Sequence, residues 1–308
     1  MVYSMESTKN LPTQKIPVSV GVFAYNEAAN IGVLLDALLG QKLNIATITE
    51  IIVVSSASTD GTDEIVKSYA SGDQRIRLIA EATRNGKSAA INHFLAEAKA
   101  PVCVIESADT IPAPDTIELL VAPYVDEAVG MTGGKPIPVN DPGSFMGYAV
   151  HLLWRLHHRM ALLQPKLGEM VSFRRVFDAI PAESAVDEAS IESIIRQKGL
   201  QLRYIPRAII HNKGPEILSD FIKQRRRIQA GHLWLKQNQQ YRVSSQDGSL
   251  MLRLFADEFF GDIKKIPSLI GVVLVEIYSR ILGWYDFTIL KKNPFKWDIA
   301  QSTKNLES

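Results

Sequence analysis

Two acidic segments carry the side chains best suited to chemistry. Asp109 comes shortly after an apolar run at residues 101–106, and a carboxylate there could hold a divalent cation together with water and the oxygens of a diphosphate. The alternative is that Asp109 caps a helix or organises the turn that follows. Asp187 and Glu188 are adjacent acids, and one of them could act as a general base. Acids at the start of a helix, however, usually interact only with the helix dipole.

Two basic segments could meet a phosphate. Residues 84–88 read Arg-Asn-Gly-Lys-Ser, so the glycine would allow close backbone approach while Lys87 supplies a charge, although the spacing is not that of a Walker loop. Residues 223–227 concentrate positive charge, and Gln224 and Arg227 share one helix face because they are three apart. Both could therefore reach a diphosphate. The alternatives are a solvated lysine in the first segment and a solvated or lipid-facing basic surface in the second.

The elements that must position these residues alternate along the first half of the chain. Apolar runs at residues 17–24, 50–54, 75–80 and 101–106 predict strands, and helical spacing at residues 28–40, 63–70 and 88–98 predicts helices between them. This alternation predicts a mainly parallel, doubly wound α/β sheet. Ligands bind beyond the carboxyl ends of such strands, and the loops there, at residues 25–27, 55–62 and 106–110, are polar. We expect these three loops to converge on one crevice.

From about residue 129 the alternation becomes irregular. Helices are predicted at residues 145–163, 187–197 and 216–240, and a strand at residues 201–205. His211, beyond that strand, could complete a metal site, but such a histidine is more often simply hydrogen-bonded. The longest uncharged apolar run, residues 266–275, is shorter than the ~20 residues that span a bilayer, so no spanning helix is expected. Residues 277–287 could lie at a membrane interface or pack on the body of the protein.

Composition excludes several classes of protein. The chain has 308 residues, of which 46% are hydrophobic, and a formal net charge of +1, which describes a globular protein with no global field to attract nucleic acid. Its single cysteine, Cys103, permits no internal disulfide and suits a reducing compartment. Residues 1–15 lack the apolar core of a signal peptide. We therefore expect a cytoplasmic protein with loose tails at residues 1–15 and 302–308.

Taken in chain order, these segments resemble the inverting family 2 glycosyltransferases of the GT-A fold, the group that includes cellulose and hyaluronan synthases. Residues 24–27 (Ala-Tyr-Asn-Glu) resemble the opening nucleotide-binding loop, residues 58–62 the end of the second loop, residues 84–87 with Asn92 the next motif, residues 107–109 the metal-binding Asp-X-Asp, and residues 187–188 the Glu-Asp pair that supplies the base. The pattern around the Gln-X-X-Arg-Trp motif is followed by Phe221, Gln224, Arg225, Arg227 and Gly231. No single piece is specific, whereas the ordered set over residues 17–231 is.

The resemblance implies a GT-A domain over residues 16–240, with a nucleotide-sugar-binding half at 16–128 and an acceptor and catalytic half at 129–240. A helical C-terminal region would follow at 241–308 and could contact the cytosolic face of a membrane. The implied reaction moves a sugar with inversion from a nucleoside diphosphate donor, with a UDP-sugar expected, to a hydroxyl of a glycan or lipid-linked acceptor. Mg²⁺ or Mn²⁺ would assist.

The same resemblance implies a role for each site residue. Glu188, or failing it Asp187, would be the base; Asp109 and His211 would hold the metal; Tyr25, Asn26, Glu27 and Asp60 would hold the nucleoside; and Lys87, Gln224 and Arg227 would contact the diphosphate.

Four departures from the family pattern affect these expectations. Ser55 and Ser56 stand where two acids are common, which removes the carboxylate expected to read the uracil edge and leaves the base of the donor open. Ser107 replaces the first Asp of Asp-X-Asp, and the Glu-Asp pair is permuted to Asp-Glu. Ile228 replaces a tryptophan associated with processive synthases, which argues against long-polymer synthesis.

Two alternative functions fit the same segments. A nucleotidyltransferase on a related fold would use the same crevice but attack a phosphate and release pyrophosphate. A non-catalytic glycan- or lipid-binding relative would be consistent with the acids lost at Ser56 and Ser107, but the presence of Asp109, Glu188 and Arg227 argues against it.

Overall fold

The four strands expected in the first half are present and parallel. The computed structural model describes residues 14–261, 263–292 and Thr303, so the tails predicted at residues 1–15 and 302–308 lie almost wholly outside it. The strands are β1 (Ile16–Ala24), β2 (Ala46–Ser56), β3 (Ile76–Glu81) and β4 (Val102–Ser107), in the order β3-β2-β1-β4. Their apolar runs reflect burial on both faces, as is usual in parallel sheets. The predicted α/β class is confirmed.

Three helices cover the two faces of this part of the sheet. They are α1 (Ile31–Leu39), α2 (Thr62–Gly72) and α3 (Lys87–Glu97). α1 and α2 pack against the side chains of β1 that include Val20 and Val22, while α3 packs on the opposite face through Phe94. A Cβ on Gly21 would lie 2.8 Å from the Phe94 ring, so only glycine allows α3 to approach β1 this closely.

The second half continues the same sheet rather than forming an irregular region. It contains β5 (Thr110–Pro112), α4 (Thr116–Val121), β6 (Val129–Pro138), α5 (Phe145–Leu163), β7 (Val171–Arg174), α6 (Asp187–Gln197) and β8 (Gln201–Asn212). The full order is β3-β2-β1-β4-β7-β6-β8-β5, and β7 is antiparallel to both of its neighbours. The glycines that made β6 look irregular allow close packing, because a Cβ on Gly133 would lie 2.7 Å from Leu167.

Three C-terminal helices complete the described part of the chain: α7 (Leu218–Asn238), α8 (Gly248–Gly261) and α9 (Ile266–Thr288). Together with α5 they share one apolar cluster, which includes Leu152, Phe221, Leu254 and Val272. The helical C-terminal extension expected from the sequence is therefore confirmed over residues 248–261 and 266–288, and it shares a core with α5 and α7.

Helix α9 is longer than the uncharged run that the sequence analysis used to argue against a spanning helix. It has 23 residues, and its most apolar 18-residue window has a mean hydropathy of 1.6 with 28% of that window buried. By length and composition alone α9 is sufficient to cross a bilayer, which corrects the expectation drawn from the shorter uncharged run. A single helix of this kind is weak evidence for a membrane span. Glu276 and Asp286, which interrupt the apolar pattern, are buried and form ion pairs with α7 through Arg225 and Arg226.

The opposite side of α9 exposes a stripe of large apolar residues at helical spacing. The stripe consists of Ile270, Leu274, Ile277, Ile281 and Trp284, whose exposed fractions lie between 48% and 61%. Leu252 and Phe259 on α8 are also exposed. We call this surface, made of these seven residues, the α8–α9 face.

Candidate active site

A cavity of 920 Å³ opens at the carboxyl ends of β1 and β4 and extends to the C-terminal helices. Most of the residues that the sequence analysis selected line it, namely Tyr25, Glu27, Lys87, Asp109, Asp187, Glu188, Gln224 and Arg227. One end is formed by the polar loops that follow β1, β3 and β4, and the other end by α5, α7, α8 and α9. Asp187 and Glu188, at the start of α6, line the same cavity as these loops and helices.

The two acids of that pair differ in accessibility. Lys87 Nζ lies 2.9 Å from Asp187 Oδ2 and 3.1 Å from Glu188 Oε1. The Asp187 side chain is 3% exposed and that of Glu188 20%. Burial and the neighbouring Asp187 raise the pKa of Glu188, while Lys87 opposes the rise. Glu188 is thus the carboxylate of the pair that a ligand in the cavity can reach.

The two cations near this pair differ in how far carboxylates offset their burial. Burial alone would lower the pKa of Lys87, but Asp187 and Glu188 outweigh it and keep that pKa above its ordinary value. Burial lowers the pKa of Arg227 to about 9, against the opposing effect of the same two acids and of Glu169. The sequence analysis assigned Lys87 to a diphosphate, whereas its contacts here are with the acid pair.

Asn26 and Asp60, expected to hold the nucleoside, instead join two loops and are not among the residues that line the cavity. The Asn26 side chain accepts a hydrogen bond from the Thr59 amide at 2.8 Å, and its backbone has φ +52°. Asp60 accepts from the amide of Ala28 at 2.9 Å and from the Thr62 hydroxyl at 2.5 Å. Burial would raise the pKa of Asp60, but these hydrogen bonds lower it overall. Short polar loop residues that bond to backbone in this way shape the loop.

Tyr25 and Ser56 line the end of the cavity that the polar loops form, where the family resemblance implies a nucleoside site. The Arg84 guanidinium lies 4.2 Å from the centroid of the Tyr25 ring, which makes a flat cationic and aromatic wall. Ser56 donates a hydrogen bond of 2.5 Å to Glu81 on the neighbouring strand. The Glu81 side chain is 3% exposed and does not line the cavity. A carboxylate therefore lies next to position 56 on the neighbouring strand, but outside the cavity.

Asp109 lines the cavity, and a second carboxyl, that of Glu106, is buried three residues before it. Glu106 is fully buried and accepts a hydrogen bond from the Thr110 hydroxyl at 3.0 Å. Burial raises the pKa of Glu106 to about 8. Asp109 itself stands where the polar loop after β4 turns into β5.

His211, expected to share a metal with Asp109, does not line the cavity, whereas its neighbour Asn212 does. Successive side chains of a strand point to opposite faces, so the alternation of β8 brings Asn212 rather than His211 to the cavity. Asn212 is 5% exposed, and its Oδ1 has no hydrogen-bond partner. Within the described ranges no group of three His, Cys, Asp or Glu side chains is arranged to hold a metal ion.

Glu169 lines the same cavity and was missed by the sequence analysis. It precedes β7, and because β7 is antiparallel to β4, the start of β7 lies at the carboxyl end of β4. Its backbone has φ +59°, which costs a non-glycine residue on the order of 1 kcal/mol or more and is concentrated at functional sites. Burial, followed by the charges of Asp109 and Glu188, raises the pKa of Glu169 to about 7. Glu169 could have been identified only from the antiparallel pairing of β7 with β4, which the sequence did not reveal.

Two elements fix the acid pair in place. The Asn92 side chain on α3 exchanges two hydrogen bonds with the backbone of Ile180, and the Ser88 hydroxyl donates to the Ser184 carbonyl, so α3 holds the loop that leads into α6. On α7, a Cβ at Gly231 would lie 2.9 Å from Val186. This close approach brings Gln224 and Arg227, on the same helix, to the cavity.

The basic cluster at residues 223–227 lines the cavity, and two of its arginines also pair with α9. Arg225 makes two hydrogen bonds of 2.7 Å to Glu276, and Arg226 is paired with Asp286. These two arginines therefore attach α9 to α7, while the Lys223 and Arg226 side chains are 60% and 38% exposed.

The helical end of the cavity carries apolar side chains together with the paired charges of Arg225, Arg226, Glu276 and Asp286. It is lined by Leu153, Trp154 and Met160 of α5, Met251 and Phe255 of α8, and Val273 and Ile277 of α9. His157, on α5, is buried beside Trp154, and burial lowers its pKa to about 3. Phe255 and Val273 also line a smaller, wholly apolar groove between α8 and α9.

Comparison with known proteins agrees with this architecture. Residues 19–201 match the family described as glycosyl transferase family 2. Among solved structures, the mannosyltransferase PcManGT from Pyrobaculum calidifontis in complex with GDP-Man and Mn²⁺ superposes with a TM-score of 0.60 at 21% identity, covering 92% of this chain and 83% of that chain. Glucosyl-3-phosphoglycerate synthase from Mycobacterium tuberculosis, in complex with Mn²⁺, UDP and phosphoglyceric acid, has a TM-score of 0.51 at 21% identity and covers 71% of this chain and 78% of its own.

Two curated relatives share shorter segments. Glycosyltransferase AglE of Haloferax volcanii is 28% identical over 124 residues, and the dolichol-phosphate mannosyltransferase of Saccharomyces cerevisiae is 34% identical over 114 residues. These alignments cover 40% and 37% of this chain, and 40% and 43% of the two relatives. The solved structures share the fold at low identity, whereas the family match covers more than half of the chain. The chain therefore belongs to glycosyl transferase family 2.

Proposed function

We propose that this glycosyltransferase moves a sugar, with inversion, from a nucleoside diphosphate donor to a hydroxyl of a lipid-linked or glycan acceptor. The observation that carries the proposal is the position of Glu188. Its carboxylate is the more exposed of the acid pair and lies on a cavity lined by the polar loops after β1, β3 and β4 and by the largely apolar side chains of α5 and α8. A base between a donor site and an acceptor site is what single displacement requires.

The donor end suits a nucleoside diphosphate. The wall made by Tyr25 and Arg84 can stack against a base, and the Ser56 hydroxyl can reach its edge. UDP is the expected nucleotide. One solved neighbour was crystallised with GDP-Man and another with UDP, so UDP and GDP are the two nucleotides to compare.

The residues near Asp109 fit a hard divalent cation such as Mg²⁺ or Mn²⁺. The fit rests on oxygen donors, because Asp109 lines the cavity and the amide Oδ1 of the buried Asn212 lacks a partner. When bound, the cation supplies positive charge to the departing diphosphate. His211 is not included, because it does not line the cavity.

The chain's own residues perform the remaining chemistry. Glu188 takes the proton from the acceptor hydroxyl as that oxygen attacks the anomeric carbon, and the bond to the diphosphate breaks on the opposite side. Lys87 holds Glu188 in place. Gln224 and Arg227, both lining the cavity, orient the diphosphate and stabilise its developing negative charge.

The acceptor end suits a molecule with a long apolar portion. Its walls are side chains of α5, α8 and α9, among them Trp154, Phe255 and Val273. Apolar walls of this kind exclude water and favour a lipid-linked acceptor over a purely polar glycan. One curated relative is named for its action on a dolichol phosphate, which supports the same choice.

The α8–α9 face supports a peripheral contact with the cytosolic side of a membrane. Its apolar stripe is exposed, and exposed lysines stand at both ends of α9, with Lys264 and Lys265 before it and Lys291 and Lys292 after it. An apolar helix face flanked by lysines is suited to an interface with anionic lipids.

The test of the proposed function is sugar transfer by the wild type and by Glu188→Gln. We expect the wild type to release a nucleoside diphosphate, and pyrophosphate release would instead indicate a nucleotidyltransferase. Glu188→Gln should lower kcat by on the order of 10²–10⁴-fold while the nucleotide-induced thermal shift is kept. A matched variant, Glu97→Gln, removes the same charge from an exposed site on α3 and should retain activity. Unchanged turnover in Glu188→Gln would rule out this base.

A further inference from the structure

The cation site expected from the family pattern has lost one of its acids. Ser107 stands where the first carboxylate of Asp-X-Asp is found, and Asp109 is the one acid of the motif that this chain retains. A hard divalent cation is held by several oxygen ligands, of which one or two are commonly carboxylates. A single carboxylate would leave most of the coordination to water and substrate.

The fold brings a second carboxylate to the place of the lost one. β4 and β7 are antiparallel, and Ile105 pairs with Val171. Continuing this register by two residues places Glu169 opposite Ser107. Both residues line the cavity, as does Asp109, whose negative charge acts on the Glu169 carboxyl.

Asn212 reaches the same point from a third segment. It pairs with Thr110, the residue after Asp109, in the antiparallel ladder of β5 and β8. Its Nδ2 donates a hydrogen bond of 3.2 Å to Glu169 Oε1. Its Oδ1 is buried without a partner, and a buried polar atom left in this state is costly unless something else binds it.

The backbone at Glu169 provides an independent indication. Its positive φ is an uncommon conformation for glutamate, and such conformations are concentrated at functional sites. Lys87, whose charge also acts on Glu169, makes its ion pairs with Asp187 and Glu188.

We propose that Glu169 and Asn212 join Asp109 as the protein ligands of the divalent cation, with Glu169 in the role of the carboxylate that Ser107 does not supply. The inference rests on the proposed function, because it concerns the metal that assists the same reaction. The competing interpretation is that Glu169 and Asn212 only hydrogen-bond to each other and stabilise the start of β7.

The test is binding of Mn²⁺ alone to the full chain, followed by the electron paramagnetic resonance signal of free Mn²⁺. We expect Glu169→Gln and Asn212→Ala each to raise the Kd for Mn²⁺ by at least about tenfold, and Glu97→Gln to leave it unchanged. In the Glu169→Gln background, the further change Ser107→Asp should recover much of the lost affinity, because it returns a carboxylate to the opposite strand. Thermal unfolding without metal checks that each variant folds, and Asn212→Ala provides a separate test should Glu169→Gln not fold.

The proposal is overturned if the wild type binds Mn²⁺ and both variants bind it equally well, or if the wild type does not bind Mn²⁺ at all. The proposed function fails in a different way: the wild type would bind Mn²⁺ through these residues but release no nucleoside diphosphate when given donor and acceptor. The two failures are therefore separable.

Discussion

At the scale of single residues, the arrangement of charge around Glu188 decides when it can accept a proton. Burial and Asp187 raise its pKa, and Lys87 lowers it. A base must be ionised to work, so kcat/KM should fall at low pH as Glu188 becomes protonated. For the proposed base Glu188, Lys87 would therefore extend the pH range of activity toward lower pH.

We predict that Lys87→Met moves the acid limb of the kcat/KM profile to higher pH, by about one to three pH units, because the nearest opposite charge is removed. Lys87→Arg keeps a cation beside the pair and should leave the limb close to its original position. The measurement is a pH–rate profile of the three proteins. A uniform loss of activity with an unmoved limb would instead mean that Lys87 acts mainly on the diphosphate.

Glu106 imposes a different pH dependence, on folding. Burial raises its pKa from 4.5 to about 8, so between these values the folded state holds a proton that the unfolded state has lost. The stabilising effect of this proton is complete below the unfolded pKa and disappears as pH rises toward the folded one. One such group lowers the free energy of unfolding by about 1.4 kcal/mol per pH unit across this interval.

We therefore predict that Glu106→Gln, which carries no charge at any pH, gains stability relative to the wild type as pH rises. In thermal unfolding with a chelator present, the difference in Tm between variant and wild type should be larger at pH 8 than at pH 5. The exposed Glu97→Gln should show no such trend. A difference in Tm that does not change with pH would indicate that Glu106 is already ionised in the folded protein.

At the scale of elements, the junction of α7 and α9 depends on a glycine. A Cβ on Gly283 would lie 2.4 Å from the Arg226 carbonyl oxygen and 2.8 Å from Gln229 Cβ, so the helices touch backbone to backbone there. The ion pair between Arg225 and Glu276 spans the same junction. Close contact and paired charge together hold α9 with its polar side inward.

We predict that Gly283→Ala lowers the free energy of unfolding by about 1–3 kcal/mol, because the added methyl separates two helices that cannot easily yield. Gly248→Ala on α8 is the matched control. Nothing lies within 4 Å of its added Cβ, so alanine there should be neutral or slightly stabilising. Denaturant unfolding of both variants measures the difference, and equal effects would contradict the close junction.

Elements differed in how much of them the sequence revealed. The βα alternation of the first half is local, and each apolar run predicted its strand. β6 was hidden by glycines that are needed for packing, and β7 is four residues long, too short for a periodic signal. The roles of the loop residues depended on which segments lie side by side in the fold. Asn26 and Asp60 form hydrogen bonds to a neighbouring loop. Glu169 reaches the cavity only because β7 runs antiparallel to β4. These contacts join residues that are far apart in the chain, so no local sequence pattern reveals them.

At the scale of the whole molecule, the α8–α9 face makes one side of the protein apolar. Most of the charged and polar side chains of α9 are turned toward α7, and the apolar stripe is turned outward. We predict that the protein sediments with vesicles of anionic phospholipid. The double variant Leu274→Glu and Ile281→Glu should bind them at least about tenfold more weakly, because each glutamate replaces an exposed apolar side chain.

Val125→Glu is the control for that experiment. Val125 is 59% exposed and lies before β6, outside the α8–α9 face, so its replacement should leave vesicle binding unchanged. Equal binding by the wild type and the double variant would show that this face does not contact lipid.

The cavity and the exposed groove between α8 and α9 have two residues in common, Phe255 and Val273. These two side chains therefore line both the helical end of the cavity and the side of the protein proposed to lie on a membrane. An acceptor carried in that membrane would arrive by diffusion within a plane rather than through the bulk solution. Its apparent KM would then follow the mole fraction of acceptor in the vesicle surface, and diluting the acceptor with inert lipid would slow the reaction even when its total concentration is unchanged.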